Sequence, residues 1–544
     1  MAQCTIETMR SIVSLVAILV SLNLAIALTT DPLVVEEYET IYINQSLTHE
    51  PNDDRTFEQR YLINDTFWEP RGPIFFYTGN EGPIEAFWEG NGFLRSLAPK
   101  FGALVLFGES RYYGRSVPLL GTGTGKPYEF LTTELILADY ASVLRRYAYA
   151  GDRQEGRTNS PVISFGGSYG GTLTTFLRAS YPELVTGAIA ASAPIGYYDP
   201  DRWSEFTVSS YTFSEIVAEN YGECLDSLHA AMDEIRATDI NTLISVFDVC
   251  SPEALYGNAT DGDLAALFQY ALESLPQQNY PYPVGNIPGQ PVDAVCAMFS
   301  SKSDLDRVEA AATATRMVFG NEVGCLEPFS EGVGGVPGDG PGLGPWGYQS
   351  CTETLHLFSS VSLLRNYTFN ITAQNDICQG LYGVTPNRSK LTSVYGGYNL
   401  PHTLSNVFWS NGELDPWHGG GFLPRYFETV GDDTNHFCLM PNGAHHIDLR
   451  LPVIGDPPDV QACRASQEEA ISLWLSSYDS EEHVSTSWIS TMAWFALSFC
   501  IVTLAFGAIQ YVVPWINRCR TSVEVDKVEL TNELSSPLLE GVAA

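Results

Sequence analysis

Positive charge is the first thing this sequence is short of: 28 Lys and Arg stand against 64 Asp and Glu in 544 residues, a net −36. A nucleic-acid partner needs clustered Lys and Arg to displace phosphate counterions, so that class is excluded. Cysteines at metal-ligand spacing, such as CxxC, are also missing, which removes the usual structural zinc site. No internal repeat is found, so solenoids and arrays are set aside. From Val484 to Asn517 formal charge is absent altogether.

What is present fits a packed protein that enters the secretory pathway. Hydrophobic content of 44% and aromatic content of 12% exclude a disordered chain. The length exceeds one ordinary domain, so a large core with an insertion, or two domains, is expected. Arg10 precedes an apolar run from Ile12 to Ile26, short for a membrane span, and Ala25-Ile26-Ala27 offers a small-x-small cleavage site. Residues 1–27 therefore read as a signal peptide, with an uncleaved anchor as the other reading. Sequons at Asn44, Asn64, Asn258, Asn366, Asn370 and Asn387 agree as glycosylation sites. Apart from Cys4, Cys500 and Cys519, eight cysteines remain: Cys224, Cys250, Cys296, Cys325, Cys351, Cys378, Cys438 and Cys463. An even set in a secreted chain reads as up to four disulfides, whose pairing the sequence leaves open.

The charge-free stretch is long enough for one membrane-spanning helix, placed at 488–516. Trp488 and Trp494 lie at one end, Tyr511 and Trp515 at the other, as interfacial aromatics do. Arg518 and Arg520 follow, so the rule of positive residues inside puts 517–544 in the cytosol and the large domain outside or in a lumen. The polar stretch that continues to Ala544 disfavours a glycolipid-anchor signal.

The chemistry is organised around PVISFGGSYGGTLTTFLRASY, Pro161 to Tyr181. An apolar strand candidate runs into Gly166-Gly167-Ser168-Tyr169-Gly170, and a helix candidate, Thr172 to Tyr181, follows. Strand, G-x-S-x-G and helix make a nucleophile elbow. Glycine is needed on both sides because a Cβ there collides with neighbouring backbone. The helix directs its free N–H groups and positive end to where negative charge builds up. Other strand candidates are Gly72–Tyr77, Ala103–Phe107, Leu184–Ala193, Asn406–Ser410 and His436–Met440; Leu131–Tyr147 and Val460–Tyr478 have helical spacing. The alternation predicts an open α/β sheet. Between Asp199 and Gly397 helical patterns take over, including Phe213–Ile235 and Leu305–Val318, and Gly332–Gly347 is glycine- and proline-rich. That stretch, 199–397, reads as a mostly helical, disulfide-bearing cap inserted between core segments 28–198 and 398–480.

A serine hydroxyl needs a histidine to take its proton and a carboxylate to hold that histidine. In α/β-hydrolases both follow the serine, on loops after late strands. Asn411-Gly412-Glu413-Leu414-Asp415-Pro416-Trp417 follows one such strand, and Asn442-Gly443-Ala444-His445-His446-Ile447-Asp448 the next. Order alone leaves His445 or His446 as the base and Asp415, Glu413 or Asp448 as the acid. His402 and His418 read as structural.

Six blocks then carry a resemblance: YTGNEG from Tyr77, ESRYYGRS from Glu109, FGGSYGG, WGYQSCTE from Trp346, SNGELDPWHGGG from Ser410 and GAHHIDLR from Gly443. In this order, over about residues 72–478, they resemble the serine peptidase family of Pro-X carboxypeptidase and the dipeptidyl peptidase that removes Xaa-Pro dipeptides. The resemblance implies an α/β-hydrolase fold with a helical cap, and cleavage of peptides beside proline. It implies Ser168 as nucleophile, Asp415 as acid and His445 as base, with Tyr169 N–H and the Gly79-Asn80 turn as oxyanion donors. Trp417, Tyr348 and Glu81 are carried over as substrate-pocket residues, Trp417 as the apolar wall a proline ring needs. No metal and no cofactor are implied. The partners are peptides and, through one C-terminal helix, a membrane, with a homodimer left open. Ser110 stands where the family usually has histidine, a change expected at the pocket edge. Gly347 stands where the dipeptidase branch tends to carry an acid, which tilts the reading towards carboxypeptidase action. A carboxylesterase or lipase on the same fold would share the triad, and a non-catalytic membrane-tethered adhesion module is the alternative of another class.

Overall fold

A computed structural model describes residues 37–118, 128–148, 160–200, 213–250, 261–300, 305–320, 325–326, 344–354, 370–423 and 435–478. The signal peptide, the charge-free stretch 488–516 and the tail fall outside these residues, as do Asn258 and Asn366. Among the described residues no helix is long and apolar enough to cross a membrane. The chain divides into two compact units, Met1–Leu475 and Ser476–Ala544, and the described fold lies almost wholly in the first.

Apolar runs without polar alternation form buried strands, and five do so side by side: β3 (Ile74–Thr78), β4 (Leu104–Gly108), β5 (Val162–Gly167), β6 (Gly187–Ala191) and β7 (Val407–Gly412), each buried along its length. Two antiparallel strands, β1 (Glu39–Ser46) at the edge and β2 (Thr56–Asn64) beside it, precede them and β8 (His436–Met440) follows. The eight-stranded order is β1-β2-β4-β3-β5-β6-β7-β8, with β2 antiparallel to β1 and β4 and every other pairing parallel. This is the α/β-hydrolase layout. The β1–β2 hairpin is absent from the sequence reading because its mixed polar composition carries neither a buried run nor a clean alternation.

The period of two sorts side chains onto the two faces. Ile74, Phe76, Leu104, Leu106, Ala188, Ala190, Val407 and Trp409 point to one cluster. Phe75, Tyr77, Val105, Phe107, Ile163, Phe165, Ile189 and Phe408 point to the other. Of the helices, α1 (Ile84–Gly90), α2 (Phe93–Phe101) and the last, at 458–478, cover the second face. The first face is covered by α3 (Thr133–Ala148) and α4 (Tyr169–Ser180). Trp409, 1% exposed, stacks on Phe437 at 5.3 Å; truncation to alanine at such a site costs about 3–5 kcal/mol.

Between β6 and β7 the described residues are helical. Here the single helix expected over Phe213–Ile235 is two, α5 (Phe213–Tyr221) and α6 (Leu225–Ala237), separated by a 3₁₀ turn at Gly222–Cys224 where Gly222 has φ +52°. With α7 (Ile240–Phe247), α8 (Asp261–Ser274), α9 (Pro291–Met298) and α10 (Arg307–Phe319) they close their own apolar cluster. The Cys224–Cys296 and Cys250–Cys325 disulfides tie that cluster together. The rest of the insertion behaves differently. Helices α11 (Gly344–Thr352), α12 (Ile371–Tyr382) and α13 (Lys390–Tyr395), with α11 and α12 joined by Cys351–Cys378, place Tyr348 and Leu391 in the sheet's own first cluster. The helical insert thus has one part with a private core and one part that packs as a layer of the hydrolase body.

Candidate active site

Ser168 stands at the end of β5 with φ +58° and ψ −127°, a conformation non-glycine residues avoid and one costing about 1–3 kcal/mol. Its N–H donates to Ala191 O at 2.9 Å, and α4 begins at the next residue. The flanking glycines have a direct steric reason: a Cβ at Gly166 would lie 2.1 Å from Gly170 O, and one at Gly170 would lie 2.3 Å from Asn80 Oδ1. Neighbouring polar groups fasten the turn. Asn80 Nδ2 donates to Gly167 O at 2.6 Å, and the Thr78 hydroxyl to Gly170 O at 2.8 Å.

Asp415, fully buried, caps the 3₁₀ turn Pro416–Gly420 that follows β7. One carboxylate oxygen accepts Trp417 N–H at 3.0 Å and the other meets His445 Nδ1 at 2.8 Å. A carboxylate only accepts, so the His445 proton sits on Nδ1 and Nε2 offers its lone pair. Geometry thereby separates the two histidines that chain order leaves equivalent. The half-buried His446 lies with its ring 4.5 Å from that of His445 and donates its backbone N–H to Ser192 Oγ at 2.9 Å. Burial, then the neighbouring His445, hold its imidazole well below the ordinary range, so it stays neutral. It also fills the space beside Gly167, where a Cβ would lie 2.9 Å from its ring, and so seats the histidine loop against the elbow. Among the described residues the Ser168 hydroxyl makes no hydrogen bond; the pairing seen directly is Asp415–His445.

The other candidates fall elsewhere. Glu413 is exposed. Asp448 is buried under β7, accepting from Ser410 Oγ and Gln467 Nε2, both at 2.5 Å, and burial raises its carboxyl above the usual range. His418 Nδ1 bonds to Asp415 O at 2.7 Å, and His402 is exposed.

Three site expectations are corrected. Gly79 is not an oxyanion donor: its N–H is spent on Gly108 O at 3.0 Å because it continues the β3 ladder, and its carbonyl accepts from Tyr140 at 2.7 Å. Tyr348 has its ring contacts away from the elbow residue Tyr169. It joins the rings of Tyr128 and Tyr382, while Trp346 packs edge-on to Tyr169 at 5.2 Å and Gln349 Nε2 donates to the Tyr169 hydroxyl at 2.8 Å. Helical spacing explains the swap, since positions 346 and 349 share a face and 348 lies on the opposite one. Ser110 has no exposed surface, so it does not edge a pocket. Glu81 is half-buried on the turn after β3. The half-buried Trp417 has Phe213 at 4.8 Å and Tyr197 at 6.1 Å, so the cap contributes to its surroundings. Gln349, from the WGYQSCTE block, touches the site, as do groups that no sequence pattern flagged: Ser192 and two cap residues, Gln277 and Tyr280, which bond to the His445 backbone. Among the described residues no cluster of three or more His, Cys, Asp or Glu is arranged to hold a metal.

A sheet of this order with a serine elbow at the end of β5 and a buried Asp–His pair behind it defines an α/β-hydrolase. A family model described as serine carboxypeptidase S28 matches residues 45–467, and the chain belongs to that family; it is a serine peptidase. Among curated relatives, the lysosomal Pro-X carboxypeptidase of Bos taurus is 33% identical over 82% of this chain and 90% of its own. The enzyme of the same name from Homo sapiens is 32% identical over 85% and 93%. A putative serine protease of Caenorhabditis elegans, pcp-1, is 33% identical over 80% and 82%. Among solved structures the acetyl esterase MekB is 12% identical, with a TM-score of 0.38 over 80% of this chain and 97% of its own.

Proposed function

We propose that this chain is an exopeptidase that cleaves peptides beside proline through a Ser168-Asp415-His445 triad and an acyl-enzyme. The observation that carries this reading is the 2.8 Å bond between Asp415 and His445 Nδ1, on the loop seated against the Ser168 elbow. His445 Nε2 takes the Ser168 proton as Oγ attacks the peptide carbonyl, and returns it to the leaving amine. Asp415 stabilises the imidazolium. The Tyr169 N–H, first in α4 and without an intrahelical acceptor, receives the oxyanion, with the Asn80 N–H as second donor once Gly79 is set aside. Water then releases the acyl group. Trp417, in its aromatic surroundings, supports a flat apolar slot for proline, and membership of a carboxypeptidase family with Pro-X carboxypeptidase relatives favours release of the residue after it.

The domain plan is part of the same reading: a signal peptide over 1–27, a catalytic body with its cap, a membrane helix at 488–516 and a cytosolic tail. The relatives' lysosomal naming favours an acidic lumen for the catalytic body. Ser168→Ala is expected to lower kcat on the order of 10⁴-fold or more with folding intact. Purified enzyme and variant, compared on peptides with proline in the penultimate position and on short acyl esters, provide the measurement. Retained peptide cleavage in the variant removes the nucleophile assignment, and hydrolysis of esters alone favours an esterase.

A further inference from the structure

His445 hangs on a loop after β8 whose own sheet gives it no backbone partner, and both of its peptide groups are held instead by the cap. Its N–H donates to Gln277 O at 3.1 Å, and its carbonyl accepts from the Tyr280 hydroxyl at 2.9 Å. The two cap residues lie at the turn after α8, some 165 positions away in the chain. Gln277 reaches the acid as well: its side-chain oxygen accepts from Trp417 Nε1 at 2.9 Å, and the Trp417 N–H caps Asp415 Oδ1 at 3.0 Å. One short cap segment therefore bonds to the loop of the base and to the residue that orients the acid.

We propose that Gln277 and Tyr280 are positioning residues through which the cap sets the Asp415–His445 pair, so that the helical insert is a working part of the catalytic machinery and more than a cover over it. This rests on the triad reading above. A base displaced by a fraction of an ångström loses its alignment to the serine, and such losses fall on kcat and leave binding alone. The segment is suited to the task. Tyr280 is 4% exposed and packs parallel to Tyr282 at 5.9 Å, and the Arg450 guanidinium lies 4.6 Å over the Tyr280 ring. Burial pushes the Tyr280 phenol up to about 12, so its hydroxyl remains a donor throughout the range in which a peptidase works. Gln277 is 8% exposed and sits at the start of the cap's return to the sheet.

The test uses the full chain and three variants: Tyr280→Phe, which deletes the hydroxyl given to His445; Gln277→Leu, which deletes the acceptor for Trp417; and Tyr282→Phe, which deletes a hydroxyl from the same aromatic stack without touching the base. Tyr280→Phe and Gln277→Leu are expected to lower kcat on a proline-containing peptide on the order of tenfold, with KM within about twofold. The rate of labelling by a fluorophosphonate should fall in parallel. Tyr282→Phe should match wild type in both, while thermal midpoints should separate Tyr280→Phe from Tyr282→Phe by little. A Tyr280→Phe enzyme with wild-type kcat, or one whose loss lies wholly in KM, overturns the inference while leaving the triad in place. A wild-type chain inert to the fluorophosphonate removes the triad and the inference together.

Discussion

Ser168 carries a backbone strain that only its surroundings maintain, and the glycines beside it have no room for a side chain, unlike others elsewhere in the chain. At Gly166 an added methyl group meets the Gly170 carbonyl at 2.1 Å, and at Gly380, inside α12, it meets nothing within 4 Å. Gly166→Ala is therefore expected to destabilise the fold by about 1–3 kcal/mol and to abolish fluorophosphonate labelling, because β5 or α4 must move. Gly380→Ala, which gains helix propensity in open space, should stabilise by about 0.5–1 kcal/mol. Chemical unfolding of the two variants beside wild type measures both signs. The same scale distinguishes the two histidines by their partners. Position along the chain makes His445 and His446 equal, and only the fold places Asp415 against one and Gly167 and Ser192 against the other.

Elements are held in register by links that no strand or helix signal announces. Cys438 in β8 joins Cys463 in the closing helix, with a separation of 25 residues. That bridge fastens the strand leading into the histidine loop to the helix that covers the second sheet face. By loop entropy such a crosslink contributes about 3 kcal/mol through the unfolded chain. The paired variant Cys438→Ser/Cys463→Ser should lower the unfolding free energy obtained from denaturant titration by that amount, and no change at all would show the link to be idle. The sheet strands and the closing helix are readable from the sequence because buried parallel strands are short apolar runs and amphipathic helices keep their period. Hairpin β1–β2 and the break between α5 and α6 are not, since β1 is a largely exposed edge, β2 buries the polar Gln59 and Arg60 beside Tyr61 and Leu62, and a single glycine inside a helical period gives no clear stop.

For the molecule as a whole, two titrating groups near the site, the half-buried His446 and the fully buried Asp448, push stability in opposite directions with pH. His446 has its folded pKa held well below 6.5, so the stability linked to it is present in full above 6.5 and is lost as pH falls, because the unfolded chain takes up a proton that the folded one refuses. Asp448 has its folded pKa raised above 3.8, so its contribution is full below that value and is lost as pH rises through the folded pKa. Unfolding free energy followed downward from pH 7 should fall below 6.5 on account of His446, with a slope of at most about 1.4 kcal/mol per pH unit until the folded pKa is reached. His446→Gln should remove that slope. Asp448→Asn, which keeps an acceptor for Ser410 and Gln467, should raise stability at pH 7 more than at pH 4. If the His446→Gln curve overlays that of wild type, the imidazole is not the group refusing the proton.

The sequence by itself determined the α/β alternation, the elbow at Ser168 and the order in which candidate acids and histidines follow it, since each is a local pattern or a matter of chain order. It also carried enough ordered motif blocks to place the chain among serine peptidases. Only the tertiary structure decided which histidine meets Asp415, that Gly79 has no N–H to give, that Trp346 and not Tyr348 meets the elbow, and that the cap reaches back to His445. Those are contacts between segments tens to hundreds of residues apart. A hydrogen bond across that span leaves no period, spacing or composition in the chain that makes it.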